Sequence, residues 1–220
     1  MAGPLEGYRI IDLTAFIAGP LASMILGDQG AQVIKIEPPG AGDVMRYMGT
    51  GRGGLSALFA SCNRSKRSVV LNLREARGRE LLEQLTQDAD VFMQNFRPGV
   101  VERLGIEEAH MRELNPRLIY VSISAFGHEG PYAKRPAFDH IIQAMAGIPA
   151  VQADPETGKL CFVRQATCLG LSVNRIMTVI MAWFMLEPSY GRLSISARPR
   201  HPQSGESPIA STVAATDACA

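Results

Sequence analysis

The residues with the most chemical promise stand where apolar runs give way to turns. Asn95-Phe96-Arg97-Pro98-Gly99 follows the run ADVFMQ. An Asn and an aromatic ring at the end of a strand suit hydrogen bonding and stacking on an adenine or a pantetheine chain. The same residues also suit a helix-initiating turn with a buried Phe. Thr14 to Pro20 follows the run YRIIDL and contains small residues that let a ligand approach the backbone, or that simply make a tight turn. Asn63-Arg64-Ser65-Lys66-Arg67 sets three cations in five residues before another apolar run, with Arg97, Arg103, Lys134 and Arg135 beyond. Phosphate recognition needs several such donors together, and a solvated basic face is the other reading.

Other signals are weaker. Gly49 to Gly54 fits G-x-G-x-x-G literally, but no strand leads into it, so a flexible loop is expected rather than a dinucleotide site. The four histidines lack metal-like spacing, and Cys62, Cys161, Cys168 and Cys219 form no CxxC pair. Neither a nucleophile elbow nor a phosphate-binding P-loop is present.

These turns need elements to hold them. Tyr8 to Leu13, Gln32 to Glu37, Ser68 to Leu73, Ala89 to Gln94 and Leu118 to Ser124 read as strands. Helical patterns cover Leu21 to Asp28, Glu75 to Gln87, Val100 to Leu104, Ile106 to Leu114 and Asp139 to Ala146. Pro20 suits a first helical turn and Gly30 a helix end. Strands alternating with helices predict an α/β fold with a Rossmann-like parallel sheet and flanking helices. Residues 1–186 form one unit on this reading. Residues 187–220 carry Pro188, Pro199, Pro202 and Pro208 among Ser, Arg and Ala, and read as an irregular, disordered tail.

Bulk properties narrow the function. The 220 residues carry 22 basic and 21 acidic side chains, a balance unlike a nucleic-acid-binding domain. The apolar run Ile176 to Leu186 is shorter than the ~20 residues that cross a bilayer. With no signal-like start, a cytoplasmic protein with reduced thiols is expected.

Five phrases, in order, resemble the class III CoA-transferase (CaiB/BaiF) family. They are GYRIIDLTAFIAGPLASMILGDQGAQVIKIEPPGAGD, CNRSKRSVVLNL, ADVFMQNFRPGVVERLG, LNPRLIYVSISAFGHEGPY and RPAFDHIIQAMAGI. The resemblance implies an acyl-CoA-dependent enzyme, with coenzyme A and acyl-CoA as substrates, no tightly bound cofactor, and two chains interlocked as a homodimer. It places coenzyme-A contacts at Ile17 and Ala18, at Leu71, Asn72, Leu73 and Arg74, at Asn95, Phe96 and Arg97, and at Arg103. The segment from Lys134 and Arg135 to Phe138 and Asp139 lies beside them. On this basis the basic cluster and the NFRPG turn take the functional reading.

The family's chemistry uses an aspartate whose carboxylate attacks the acyl-CoA thioester, giving a mixed anhydride and then an aspartyl-CoA thioester. That aspartate is expected after Cys168, where Leu169-Gly170-Leu171-Ser172 stands instead. No catalytic residue is therefore assigned. A truncated gene or shifted reading frame would account for this and for the tail. An incomplete large domain would leave sheet edges and apolar surface exposed and would aggregate when expressed alone. Three functions follow from the resemblance. They are CoA transfer to a carboxylic acid, acyl-CoA racemisation, and coenzyme-A binding without catalysis. Family racemases carry a His where Phe138 stands, so transfer is the stronger of the two activities.

Overall fold

The computed structural model describes residues 3–127, 130–161, 192–196 and 212–216. It opens with β1 (Arg9–Asp12), α1 (Ala18–Asp28) and β2 (Gln32–Glu37). A 3₁₀ turn (Val44–Tyr47), the short strands β3 (Gly51–Arg52) and β4 (Leu55–Ser56), and α2 (Ala57–Asn63) lead to β5 (Lys66–Val70). Then follow α3 (Ala76–Gln87), β6 (Val91–Gln94), α4 (Val100–Leu104), α5 (Glu108–Leu114) and β7 (Ile119–Ser124). Helices α6 (Asp139–Met145) and α7 (Ile148–Val151) come next, then β8 (Arg192–Ser196) and β9 (Thr212–Thr216).

The sheet order is β5-β2-β1-β6-β7-β8-β9, parallel except for the last pair. Both faces of the central strands are covered, so these strands read as near-continuous apolar runs. Their side chains alternate between two cores. Ile10, Val33, Val91, Met93 and Val121 pack with Ala22 and Leu26 of α1. Ile11, Ile36, Phe92, Leu118 and Tyr120 pack with Leu82, Val101 and Met111 of α3, α4 and α5.

The expected elements are present with trimmed ends, and β2 and α4 coincide with their expected bounds. Helix α1 starts at Ala18 rather than Leu21, so Pro20 still sits in the first turn, where no intrahelical N–H is needed. Strand β5 starts two residues earlier than expected and ends at Val70. Asn72 Oδ1 accepts from Arg74 N at 3.2 Å and turns the chain away.

Two expectations are corrected. Gly49 to Gly54 is a β-hairpin, with β3 and β4 joined through Gly53 (φ +62°) and Gly54 (φ +77°). Two successive left-handed residues make the turn whose twist matches a hairpin, and glycine adopts it without a Cβ clash. The stretch after residue 187 was expected to be irregular, yet β8 and β9 lie in it. RLSIS and TVAAT are too short and too rich in Ser and Ala to stand out as strands. Backbone pairing along β7, from Val121↔Leu193 to Ser124↔Ser196, defines the first of them.

Candidate functional site

Chain order reverses between β1 and β6. β2 and β5 lie to one side and β7 to the other, so the connections after β1 and β6 diverge and leave a crevice beyond their carboxyl ends. Thr14 to Ala18 and Asn95 to Arg97 are the turns that border it. They are tied directly together, because Asn95 Oδ1 accepts from Ala15 N at 2.9 Å and Asn95 Nδ2 donates to Ala15 O at 2.8 Å.

The floor beneath the first turn is charged. On the α1 side of the sheet, the carboxyl halves of β1 and β2 place Asp12 beside Lys35. Lys35 is 1% exposed; its Nζ donates to Thr14 O at 2.7 Å and lies 3.0 Å from Asp43 Oδ2. Lys66 reaches in from β5, and its Nζ donates to Asp12 Oδ2 at 3.0 Å, Pro20 O at 2.8 Å and Asn63 Oδ1 at 2.9 Å. Ser23 Oγ donates to Asp12 Oδ2 at 2.5 Å, and the Thr14 hydroxyl and backbone N–H donate to Asp12 Oδ1. Burial pushes the Asp12 carboxyl up, but Lys66, Lys35 and the Ser23 and Thr14 hydroxyls outweigh it and hold the carboxyl below its ordinary range. Burial draws Lys66 down, and the attraction of Asp12 opposes it. Three acceptors around Nζ and several donors around the carboxylate fit the ionised forms of both groups.

A second ion pair flanks the first. Arg46 grips Glu37 through two bonds of 2.7 and 2.6 Å and stacks 3.9 Å from the Phe59 ring centroid. Burial raises the Glu37 carboxyl, but Arg46, Ser68 and the Asp43 N–H outweigh it and bring the pKa down to about 2. The 3₁₀ turn and the hairpin border an open cavity of about 270 Å³ lined by Arg46, Tyr47, Gly49 and Leu55. Val44, Tyr47, Leu55 and Leu58 around it are exposed apolar side chains.

The predicted contact residues are distributed as follows. Ile17 caps α1 and Ala18 begins it, both half-buried at the crevice. Phe96 is half-buried and Arg97 exposed just beyond β6, with Arg103 exposed on α4. Phe138 is 58% exposed, yet its ring centroid lies 6.3 Å from that of Phe16, which brings the segment before α6 to the first turn. Lys134 is exposed, Arg135 stacks over Tyr132 at 4.7 Å, and Asp139 begins α6 and accepts from Gln143 Nε2. Leu71, Asn72, Leu73 and Arg74 follow β5, two strands from β1 and so about 10 Å away across the sheet. Asn72 Nδ2 is engaged locally with Glu75 at 2.6 Å.

The basic cluster does not face this edge. Lys66 and Asn63 belong to the buried network, and Arg64 pairs with Asp28 at 2.6 Å, beside the carboxyl end of α1. Lys66 thus serves a buried carboxylate and Arg64 a surface one, so two of the three cations are engaged within the chain, which corrects the reading of the whole cluster as a phosphate site. The position after Cys168 lies outside the described residues. Sequence reasoning missed Asp12, Lys35 and Asp43. For the first two a signal was available, because Asp12 in YRIIDL and Lys35 in QVIKIE are charges next to apolar residues within central strands. Among the described residues no group of three or more His, Cys, Asp or Glu is placed to hold a metal ion. None of their helices is long and apolar enough to cross a membrane.

Comparison with known proteins gives the lineage. The chain is 47% identical over 154 residues to the acetyl-CoA:oxalate CoA-transferase of Acetobacter aceti, covering 70% of this chain and 40% of that protein. It is 37% identical over 180 residues to the succinyl-CoA–D-citramalate CoA-transferase of Chloroflexus aurantiacus, covering 81% and 43%. It is 42% identical over 156 residues to the succinyl-CoA:glutarate CoA-transferase of Mus musculus, covering 70% and 36%. The chain thus spans less than half the length of these relatives. A crystal structure of the protein Rv3272 from Mycobacterium tuberculosis superimposes with a TM-score of 0.81 at 33% identity, over 89% of this chain and 55% of that one. A CAIB/BAIF family protein from Brucella suis does so with a TM-score of 0.75 at 36% identity, over 83% and 50%. The sequence profile of CoA-transferase family III matches residues 5–185. This chain belongs to CoA-transferase family III.

Proposed function

We propose that this chain holds the coenzyme-A part of an acyl-CoA at the carboxyl edge of its sheet, within a protein that transfers coenzyme A to a carboxylic acid. The observation that carries this reading is the crevice between β1 and β6, bordered by two turns tied through Asn95, in a chain of CoA-transferase family III. Phe96 and Phe138 offer ring faces there, and Arg97, Arg103, Lys134 and Arg135 offer exposed cations for the phosphates. The relatives cited above are named for oxalate, citramalate and glutarate, so the acceptor in this reading is a small dicarboxylic acid. The interlocked homodimer, a cytoplasmic location and the lack of any tightly held cofactor belong to the same proposal.

Exchange needs a carboxylate nucleophile that attacks the acyl-CoA thioester, takes coenzyme A as an enzyme-bound thioester while the donor acyl group leaves as its acid, and then passes coenzyme A to the acceptor acid. Leu169 follows Cys168 directly and has no nucleophilic atom. We therefore assign binding, and not turnover, to the chain of this sequence. The test is calorimetric titration with coenzyme A, alongside mass-spectrometric detection of exchange between acetyl-CoA and isotope-labelled oxalate. Saturable binding without exchange is expected. Absence of saturable binding would overturn the assignment, and measurable exchange would overturn its non-catalytic half.

A further inference from the structure

Phe16 has φ +72°, in the left-handed region that a bulky L-residue occupies only at a penalty of about 1–2 kcal/mol. It sits in the middle of the turn that borders the crevice, and the two residues before it and its own N–H are anchored. Thr14 O accepts from buried Lys35 at 2.7 Å. Ala15 is held through both its N–H and its C=O by Asn95. Phe16 N donates to buried Asp43 Oδ1 at 3.3 Å, and that oxygen also accepts from Met45 N at 3.0 Å. Lys35 and Asp43 are paired with each other at 3.0 Å and are 1% and 2% exposed at their side chains, so two of the three anchors share one rigid base. Strain at a single residue persists only where the surroundings over-determine it, and it collects at sites that must be preorganised.

We infer that Asn95, Lys35 and Asp43 form a three-point clamp that forces Phe16 into its left-handed conformation and so preorganises the Thr14–Ala18 turn for ligand. Asn95 is then a positioning residue. Both ends of its amide are spent on Ala15, and it acts on coenzyme A through the turn rather than by touching it. The inference rests on the coenzyme-A reading for the identity of the ligand, but not for the existence of the clamp.

Lys35 and Asp43 are buried, and their removal threatens the fold. Asn95 is half-buried at the surface, and it is the position to change. The first measurement is hydrogen exchange of the segment 13–18 in the ligand-free full chain. Asn95→Ala should speed exchange of this segment about tenfold or more while segments in β1 and β6 keep their protection. Unchanged exchange in 13–18 would sink the clamp whatever coenzyme A does.

The second measurement is a double-mutant cycle on coenzyme-A affinity with Phe16→Asn, because Asn tolerates the left-handed region far better than Phe. Asn95→Ala is expected to weaken binding about tenfold beside Phe16 and less than about threefold beside Asn at that position. Equal losses in the two backgrounds would make Asn95 a direct contact and overturn the positioning role. A wild-type chain that binds no coenzyme A, with a protected 13–18 segment released by Asn95→Ala, would refute the ligand and retain the clamp.

Discussion

Replacing Lys66 with methionine tests whether the charged floor of the crevice is the source of its rigidity. Methionine keeps much of the length and loses the ammonium. Nζ makes three bonds, to Asp12 Oδ2, Pro20 O and Asn63 Oδ1, and the lysine and aspartate side chains are 2% and 0% exposed. Removing one partner of a buried ion pair typically destabilises by about 3–5 kcal/mol, because the other charge stays buried and unmatched. Against a domain stability of about 5–15 kcal/mol, that is a large fraction. The sign with pH follows from Asp12. In the wild type its folded pKa lies below the ordinary value of 3.8, so its contribution is present above that value and is lost as pH falls through the folded pKa. Lys66 is the largest influence opposing burial, and without it the carboxyl moves upward. Asp12 in the variant then loses its charge more readily in the fold, and the stability deficit shrinks as pH is lowered from neutral toward 4. Urea unfolding followed by circular dichroism at neutral and acid pH reads both effects. A loss below about 1 kcal/mol at neutral pH would place the pair among weakly coupled surface contacts. A deficit that widens in acid would contradict the assignment of the charge to Asp12.

The neighbouring pair predicts acid sensitivity of its own. Glu37 moves from 4.5 to about 2, a difference worth about 3 kcal/mol that is present above pH 4.5 and lost as pH falls toward 2. Arg46→Ala should flatten the pH dependence of the urea midpoint in that window, and an unchanged slope would refute the pairing. Gly19→Ala should destabilise by about 1–3 kcal/mol, since its Cβ would lie 2.3 Å from Thr14 Cβ at the base of the turn. A thermal midpoint unchanged from wild type would show that helix and turn are free to part there.

The fold was legible because the central strands are apolar on both faces and the helices between them begin and end on recognisable residues. Boundaries drifted where hydrogen bonding rather than hydropathy decides them, as at Asn72 beyond β5. The hairpin at Gly51 to Ser56 was hidden by its two-residue strands, which offer no period to count. The candidate site was legible in part. The turns after β1 and β6 announce themselves by position, since both end apolar runs. The basic cluster misled, because composition cannot tell a cation that faces solvent from one that reaches a buried carboxylate 54 positions away. At Asn95 the fold added what the sequence could not show, because an amide at a strand end gives no sign that the opposite turn presents Ala15 to both of its atoms.

The polar floor marks a division within this fold. On the α1 face, the amino half of the sheet is closed by Ile10, Val33 and Val91, while the carboxyl half holds Asp12 and Lys35, and Lys66, level with Val33 at the start of β5, reaches Asp12 with its ammonium. Apolar residues of similar size would fill that half without the penalty of burying ions, so stability alone does not account for the charges. What the ions supply is direction, since the donors and acceptors point at backbone atoms of the turn and the first turn of α1 or at other members of the network. All of these groups, and the Asn95 clasp, fall between Asp12 and Asn95 in the sequence. The position at which the family resemblance places the nucleophile follows Cys168, so in the proposed function the groups that would hold the ligand are separate from those that would react with it. The clamp should therefore operate equally in a chain with an aspartate after Cys168 and in one with Leu169 there. Coenzyme-A affinity, measured in both, should be insensitive to that change while remaining sensitive to Asn95.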